Sequence, residues 1–443
     1  MEENEKMSKA SLMQKYHLKG NPGIGLIMAT FGFFIGFAAV SLYGPVASKL
    51  KEVLGISGFL VGLLVAAPNL SGSLLRIPFA AWVDKVGGKK PLYVLLILAV
   101  IGMAGLSILL LLYYPNHLSK DMYWLIVLFG ILSGSGIATF SVGIAQTSYW
   151  FPQKKQGVAL GTYAGIGNTA PGIFGIILPF ALRAFGLPIS YVLWFGFLLI
   201  GTVIYIVFVH DAYYFQLIRK GIKHEEAKKV STELGQELIP SGSTVESLKI
   251  SAKIPSTWGL VLLYFTSFGG FLALTGWFPV YWVKNYHFDL REAALLMAFG
   301  FSLLASVIRV WGGHISDRFG GERIAILSYF TVLLGAIILF FTHVFWLSLL
   351  GEIIIGAGMG VGNAAVFKLV PKYVPKATGG AAGWVGGLGA FGGFAVPPIL
   401  GIFVDHYGIA GYAKGFIVYV ILAVISIIMS FILLKAHSKK QLA

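Results

Sequence analysis

The chain has 443 residues, of which 57% are hydrophobic and only 12% are charged. Because an ordinary soluble domain carries about 25% charged residues, this composition excludes a soluble globular protein and places the chain in a lipid bilayer. Cysteine is absent from the chain, which excludes disulfides, thiolate metal sites and cysteine nucleophiles.

Along the chain, a polar and basic segment, 1–22, comes first and lacks the apolar core and cleavage site of a signal peptide. Twelve apolar stretches follow, each reaching the roughly 20 residues that a helix needs to cross a bilayer. They lie near residues 24–48, 57–83, 91–113, 122–150, 156–180, 189–209, 257–283, 290–313, 324–342, 345–368, 378–404 and 413–434. Backbone groups in lipid must pair internally, so these runs predict an all-α polytopic membrane protein with twelve transmembrane helices.

The one long polar stretch between spans is 210–256, and it divides the spans six and six. The expected domains are therefore an N-terminal bundle, 23–209, a linker, a C-terminal bundle, 257–434, and a tail, 435–443. We interpret the linker as a solvated connector. The alternative is that its centre, with its Lys and Glu pairs, forms an amphipathic surface helix.

Lysine and arginine are unevenly distributed among the predicted loops. The side that holds both termini carries 23 of them and the opposite side carries 7. Because positively charged loops stay in the cytoplasm, we expect both termini on the cytoplasmic side of the cell membrane. The net charge of +15 thus reflects topology, and we expect no nucleic-acid partner.

The two halves of the chain repeat each other. Span 2 ends RIPFAAWVDKVGGKKP from Arg76, and span 8 ends RVWGGHISDRFGGERI from Arg309. An aspartate, Asp84 or Asp317, follows each arginine by eight residues. Spans 4 and 10 also correspond, as GSGIATF and GAGMGVG. Duplication of a six-helix unit is typical of transporters in which two bundles rock against each other.

These repeated loops resemble the loop signature of the major facilitator superfamily. The matching residues are Asp84, Lys85, Gly87, Gly88, Lys89 and Lys90, and in the second half Asp317, Arg318, Gly320, Gly321 and Arg323. The resemblance covers the whole chain and implies two pseudo-symmetric six-helix bundles. Because an aspartate near a helix end can pair with basic groups or helix termini, we interpret Asp84 and Asp317 as gating residues that latch one state of the rocking cycle.

Two arginines lie deep in the predicted membrane. Arg76 precedes the cytoplasmic boundary of span 2 by eight residues, about 12 Å along a helix, and Arg309 occupies the equivalent depth in span 8. An intramembrane arginine costs about 2.5 to 3.5 kcal/mol on insertion scales. Only Glu352 offers a carboxylate at comparable depth, so the pair predicts an anion site. Guanidinium groups suit planar oxyanions, among them nitrate, nitrite, formate, oxalate and bicarbonate.

Glycines recur at three- and four-residue spacing in span 5, GTYAGIGNTAPGIFG, and in span 11, GWVGGLGAFGGFAVPPILG. This spacing lets helices approach closely, which suits a narrow path for a small ion. The two segments resemble the paired signature of the nitrate/nitrite porter family. The matching residues are Gly165, Ile166, Gly167, Asn168 and Gly172, then Gly386, Gly389, Gly392, Gly393, Phe394 and Pro397.

The family resemblance implies roles for particular side chains. Phe140, twelve residues before Pro152, and the segment YFTSFGGF from Tyr264 agree with the family pattern. In that family two arginines bind the anion, aromatic rings enclose it and glycine-rich helices slide past each other. The implied substrates are nitrate and nitrite. The implied site consists of the ligands Arg76 and Arg309, the aromatic cage Tyr264, Phe268 and Phe140, and the nearby polar Asn168. Tyr43 of span 1 is a weaker cage candidate.

Whether transport is coupled to protons depends on the carboxylates within the membrane. Glu352 is the possible proton site, since a proton symporter usually has a titratable group in its path. Two positive charges without a central carboxylate should resist reorientation when the site is empty, which favours nitrate/nitrite antiport. The alternatives are proton-coupled nitrate symport, an oxalate/formate-type exchanger of the same superfamily, and a non-transporting anion sensor that signals through 210–256.

Motifs of enzymes are missing: the sequence has no P-loop, nucleophile elbow or intramembrane cluster of histidine and carboxylate. We therefore expect a carrier and no enzyme, with neither cofactor nor metal. The chain should contact membrane lipid and function as a monomer.

Overall fold

The computed structural model describes residues 2–240 and 244–442; the linker residues 241–243 and the terminal residues 1 and 443 lie outside this description. All regular structure in the described part is helical. Within residues 2–240 and 244–442, eleven helical stretches are long and apolar enough to cross a membrane. One of them, Lys154–Phe208, has 55 residues and bends at Gly186, where φ is +74°, so it makes two crossings. The predicted all-α fold with twelve spans is confirmed.

The spans are numbered here in chain order, with spans 5 and 6 sharing one stretch that divides at Gly186. They are Pro22–Leu54, Gly58–Val86, Lys89–Tyr113, Lys120–Trp150, Lys154–Phe208, Pro255–Tyr286, Leu290–Phe319, Gly321–Phe341, Phe345–Tyr373, Pro375–Lys414 and Ile417–Lys435.

Most spans that meet at the centre are interrupted near their middle. Spans 1 and 4 contain 3-10 turns, spans 7 and 8 contain π-helical turns, and spans 2, 5 and 11 bend between two helices. The two helices on either side of the interruption are Pro22–Phe37 and Ala47–Leu54 in span 1, Gly58–Leu74 and Arg76–Val86 in span 2, and Tyr123–Gly134 and Thr139–Trp150 in span 4. They are Gln153–Gly167 and Ala170–Phe208 in the stretch of spans 5 and 6, and Pro255–Tyr264 and Gly270–Tyr286 in span 7. They are Leu290–Leu295 and Leu303–Phe319 in span 8, and Thr378–Ala390 and Gly392–Tyr407 in span 11. Irregular backbone at membrane depth is tolerated where protein buries it or where it lines a cavity.

The two halves pack closely at the end of the molecule opposite the termini, which we call the far side. A Cβ at Gly62 of span 2 would collide with the carbonyl of Pro397 in span 11, and one at Gly44 of span 1 would lie 2.6 Å from the carbonyl of Gly276 in span 7. Helices that approach this closely leave no path between them. The far side is therefore closed.

The opposite end, which carries the linker and both chain ends, is called the terminal side, and it contains open space. A cavity of about 750 Å³ lies between spans 5 and 8 and extends from Arg309 to Asp317. A second cavity, of about 180 Å³, lies below Phe140 and Phe367 and is also lined by Leu248 of the linker. Access to the centre of the molecule is therefore from the terminal side.

The linker is more ordered than a solvated connector. It contains helices Tyr213–Arg219, His224–Glu233 and Thr244–Ala252, so a helix does occupy its centre, as the alternative interpretation held. In the third helix, the Ser247 hydroxyl accepts the N–H of Gly380, and the Leu248 carbonyl accepts the indole N–H of Trp384, each at 3.0 Å. This helix packs against span 11 because it provides both hydrogen-bond acceptors and an apolar side chain to the same surface.

Candidate functional site

Arg76 lies at the bend of span 2, where its second helix begins. The side chain is fully buried. Its Nε donates to the carbonyl of Gly72 at 3.0 Å, and its Nη1 donates to the carbonyl of Gly386 at 3.1 Å. Its Nη2 is buried without a hydrogen-bond partner among the described residues. Arg76 therefore joins span 2 to span 11 of the other half and still has both N–H groups of Nη2 for a ligand.

Arg309 projects from span 8 and is half-buried at the end of the cavity between spans 5 and 8. Its Nη1 is buried and has no hydrogen-bond partner in the described part of the chain. Neither arginine forms an ion pair with a described carboxylate. The two guanidinium groups are close enough to repel each other. Both positive charges are thus left for an anion to neutralise.

Phe140 of span 4 and Phe268 of span 7 connect the two arginines. Their ring centroids are 5.9 Å apart and their planes differ by 25°. The Cζ atom of Arg76 lies 4.9 Å from the Phe140 centroid and 5.0 Å from the Phe268 centroid. The Cζ atom of Arg309 lies 5.7 Å from each. One pair of rings, with one ring from each half, is therefore shared by both guanidinium groups.

Tyr264 completes this cluster one turn before Phe268 on span 7. The two rings stack with centroids 4.9 Å apart and planes 11° apart. The Tyr264 hydroxyl is buried and makes no hydrogen bond of good geometry with a described residue. Both guanidinium groups lie near this hydroxyl, and Arg309 makes a poorly aligned hydrogen-bonding contact with it. It can therefore donate to the same ligand as the arginines.

Three buried groups with donors to spare thus meet: Arg76 Nη2, Arg309 Nη1 and the Tyr264 hydroxyl, which among themselves make only a poorly aligned contact between Arg309 and Tyr264. A buried polar group left without a partner costs about 1 to 3 kcal/mol, and more when it is charged. An oxyanion would supply acceptors to all three and cancel positive charge in a site from which aromatic rings exclude water. The arrangement is chemically suited to binding a small anion.

Asn168 and Tyr43 take different positions. Asn168 lies at the bend of span 5, donates to the Ala164 carbonyl at 2.7 Å and leaves its side-chain oxygen without a partner among the described residues. Its own carbonyl accepts the hydroxyl of Ser306, three residues before Arg309. The Tyr43 hydroxyl donates to the carbonyl of Ile126 at 2.6 Å. Tyr43 therefore packs inside the N-terminal half, apart from the two arginines.

Five of the seven glycines predicted as helix contacts lie where neighbouring groups approach too closely for a side chain, whereas Gly165 and Gly386 have ordinary packing distances. In span 5, Gly172 and Gly165 face span 8 and Gly167 faces span 1; in span 11, the glycines face mainly span 7. In span 5, a Cβ at Gly172 would lie 2.7 Å from Leu303, one at Gly165 would lie 3.8 Å from Val310, and one at Gly167 would collide with Phe33. In span 11, a Cβ would lie 3.6 Å from Phe367 at Gly386 and 2.8 Å from Tyr264 at Gly389. It would lie 2.7 Å from Phe265 at Gly392 and 2.7 Å from Leu272 at Gly393. Gly389 thus sets the position of a ring in the cluster.

The two loop aspartates have different partners. Asp84 accepts the hydroxyl of Tyr149 in span 4 at 2.6 Å. Asp317 forms an ion pair with Lys368 of span 10, whose ammonium also donates to the Ser316 carbonyl at 2.7 Å. Each aspartate therefore links two spans within its own half at the terminal side.

Glu352 of span 10 is fully buried, away from the cluster. One carboxylate oxygen accepts the indole N–H of Trp282 at 3.0 Å. The other oxygen has no hydrogen-bond partner among the described residues. No described contact connects Glu352 to either arginine, so the cluster itself contains no carboxylate.

Sequence reasoning missed Tyr163, which positions the Phe140 backbone. The Tyr163 hydroxyl donates to the carbonyl of Phe140 at 2.9 Å and to that of Thr139 at 3.1 Å. Both carbonyls lie just after the 3-10 turn Ser135–Ala138, where span 4 is irregular. The sequence signal was faint, because twenty tyrosines occur in the chain and only the fold shows which one reaches this bend.

A family model described as Major Facilitator Superfamily matches residues 29–397 and 294–443. The solved structure of the xylose transporter XylE from E. coli, in a partially occluded inward open conformation, has the same fold. It aligns with a TM-score of 0.70 at 14% identity and covers 94% of this chain and 99% of that one. The chain belongs to the Major Facilitator Superfamily.

Curated relatives narrow this class. The probable nitrate/nitrite antiporter NarK1 of Thermus thermophilus is 31% identical over 395 residues, 84% of this chain and 83% of its own. The nitrite extrusion protein of Bacillus subtilis is 28% identical, with 89% and 90% covered. The probable nitrate transporter NarT of Staphylococcus haemolyticus is 28% identical, with 97% and 100% covered. Within the superfamily, the chain belongs to the nitrate/nitrite porter family, as the glycines of spans 5 and 11 predicted.

Proposed function

We propose that this protein exchanges nitrate and nitrite across the cell membrane by alternating access. The observation that carries the proposal is the meeting of three buried groups from both halves that keep donors for a ligand: Arg76, Arg309 and the Tyr264 hydroxyl. Nitrate and nitrite are planar anions with acceptor oxygens, and guanidinium groups bind such oxygens in fixed geometry. The anion is therefore bound at the junction between the halves, beside Phe140 and Phe268.

Charge explains why the loaded protein changes state more readily than the empty one. Without an anion, the fully buried guanidinium of Arg76 and that of Arg309 from the opposite half repel each other, and closure of the cavity would remove the water that still reaches Arg309. Closing both gates over uncompensated charge is unfavourable at low dielectric. A bound nitrate or nitrite removes most of this penalty. Each crossing of one anion is then matched by the return of another, which is antiport.

Proton symport is the alternative, and Glu352 is the group on which it would depend. A coupling carboxylate should sense whether the anion site is occupied. The described partner of Glu352 is Trp282, and the arginine cluster lies elsewhere. Antiport is therefore favoured, and Glu352 is assigned a packing role in the C-terminal half.

The proposed orientation places the terminal side in the cytoplasm. Its loops carry 23 of the lysines and arginines, against 7 on the far side. In this orientation the structure is closed to the outside and accessible from the cytoplasm. One chain supplies both arginines and both rings, so the monomer is the proposed functional unit, with no cofactor and no enzymatic activity.

Counterflow in liposomes tests the proposal. Purified protein is reconstituted into vesicles that are either preloaded with nitrite or anion-free with an alkaline interior, and uptake of isotope-labelled nitrate is followed. Antiport predicts uptake in the preloaded vesicles and almost none in the others. Equal accumulation in the anion-free vesicles would contradict antiport and establish proton symport.

Two further arms address the remaining alternatives. Formate and oxalate, added outside at the concentration of nitrate, should leave nitrate uptake nearly unchanged; strong inhibition would favour an organic-anion exchanger. Removal of the linker helix His224–Glu233 should preserve exchange. If the protein binds nitrate but does not transport it, that result would instead support the hypothesis of a non-transporting anion sensor.

A further inference from the structure

A basic pocket of about 450 Å³ lies on the terminal side, away from the anion site. It forms where three segments of the N-terminal half meet: the residues before span 1, the start of span 3, and the end of span 6 with the first linker helix. The charged residues that line it are Lys19, Lys89, Arg219, Lys220 and Asp211. Four cations therefore face one carboxylate, an excess of three positive charges.

Hydrogen bonds hold the shape of this pocket. The Gln216 side chain accepts the N–H of Lys19 at 2.9 Å and donates to the Lys19 carbonyl at 2.7 Å. The Lys220 ammonium donates to the carbonyls of Tyr16 at 2.5 Å and His17 at 2.8 Å. The segment before span 1 is thus fixed to the linker, and the pocket is formed before any ligand arrives.

The single carboxylate is already occupied. Asp211 is buried, accepts the N–H of Lys89 at 2.7 Å and pairs with Arg219 at 2.7 Å. Lys89 directs its ammonium to the Val209 carbonyl at 3.1 Å. An ammonium has three donors and a guanidinium has five, so both cations keep donors for a ligand. The pocket is consequently an acceptor-poor site that attracts an anion.

The position of the pocket indicates which kind of anion it attracts. Spans 1, 3 and 6 begin or end at this pocket, so it lies where the protein leaves the bilayer. On span 6, just before the pocket, Val207 is 61% exposed and Phe208 is 57% exposed, which gives an apolar surface beside the cations. Basic pockets at this level of a membrane protein bind phosphate-bearing headgroups.

We propose that this pocket binds an anionic phosphate group, with phospholipid of the adjacent leaflet as the source that the neighbouring apolar surface favours. The site is independent of the transport site, because all its residues belong to the N-terminal half and the segments that flank it. A lipid bound there would tie the segment before span 1 and the linker to span 3.

Native mass spectrometry of the detergent-purified protein tests this proposal, with phosphatidylglycerol as the lipid probe and radiolabelled inorganic phosphate in equilibrium dialysis as the soluble probe. The test variant is Lys19→Gln with Lys89→Gln, in which glutamine can still donate to the Val209 carbonyl. The matched control is Lys228→Gln with Lys229→Gln, which removes the same charge from exposed positions of the linker helix His224–Glu233. Each surface cation contributes about 1 kcal/mol, so phosphatidylglycerol should bind about thirtyfold more weakly to the test variant.

The outcomes separate the two sources of phosphate. Weaker phosphatidylglycerol binding in the test variant alone supports the lipid. Weaker inorganic phosphate binding in the test variant, without phosphatidylglycerol binding to the wild type, supports a soluble phosphate. Equal behaviour of test and control variants with both probes overturns the proposal. Should the double variant fail to fold, Lys19→Gln alone should weaken binding about fivefold, since the Lys19 side chain makes no hydrogen bond with a described residue.

Discussion

The carboxylate of Asp405 in span 11 accepts the backbone N–H of Gly58, the first residue of span 2, at 2.5 Å. Its second oxygen accepts the N–H of Phe59 at 2.8 Å. The first N–H groups of a helix have no partner inside the helix, and a negative charge there is favourable. Because spans 2 and 11 belong to opposite halves, this cap holds the far side closed.

Replacement Asp405→Asn should shift the equilibrium toward a state open on the far side. The amide retains one acceptor and loses the charge, and hydrogen bonds to charged groups contribute about 1.5 to 3 kcal/mol, so a shift of about tenfold is expected. The chain has no cysteine, which permits a single reporter, Val65→Cys, at a buried position that contacts Gly276 of the other half. Maleimide labelling of this cysteine should become about tenfold faster.

Asp289→Asn is the matched control for this experiment. Asp289 also lies on the far side and caps a helix, accepting the N–H groups of Arg291 and Glu292, but within one half. Its replacement should leave the labelling rate of Val65→Cys nearly unchanged. Equal rates in the Asp405 and Asp289 variants would show that the cap at Gly58 does not control opening.

Gly389→Ala should weaken nitrate binding by displacing Tyr264. The new Cβ would lie 2.8 Å from both Cβ and Cδ1 of Tyr264, and overpacking of this kind costs about 1 to 3 kcal/mol. We expect nitrate affinity to fall about tenfold in equilibrium binding. Gly379→Ala, on the same helix but with open space at its Cβ position, should bind nitrate like the wild type. Equal nitrate affinity in both variants would show that Tyr264 does not contribute to the anion site.

Glu352→Gln should leave exchange within about twofold of the wild type. The amide oxygen can still accept the indole N–H of Trp282, so the packing persists while the titratable group is lost. Nitrate/nitrite counterflow at constant pH and nitrate uptake under a pH gradient are the two measurements. Loss of pH-driven uptake, with counterflow intact, would instead assign Glu352 to proton coupling.

The sequence predicted the spans well because apolar length is a one-dimensional property. It also indicated Arg76 and Arg309, since charge at mid-membrane depth is conspicuous in any apolar run. The rings Phe140, Phe268 and Tyr264 came from family resemblance alone. With 34 phenylalanines and 20 tyrosines in the chain, composition could not select them.

Other features depend on how the helices bend and meet. Tyr43 was a weaker cage candidate, yet span 1 contains 3-10 turns on either side of it, and the bend turns its hydroxyl toward Ile126. Asp405 lies one residue beyond the predicted end of span 11, and no feature of the sequence there indicates its contact with the start of span 2. The linker helix Thr244–Ala252 is short and finds its partners 133 and 136 residues away, a relationship that no local pattern contains.

The central claim is that Arg76 and Arg309 together bind the transported anion, and equilibrium binding of nitrate to purified protein tests it most directly. Arg76→Lys and Arg309→Lys keep the charge and lose the planar fork of donors. Each should weaken nitrate binding about a hundredfold, since truncating a buried charged contact costs about 2 to 5 kcal/mol, whereas Arg183→Lys, at an exposed far-side position, should have no effect. Nitrate affinity within twofold of the wild type in both variants would contradict the assignment of the site.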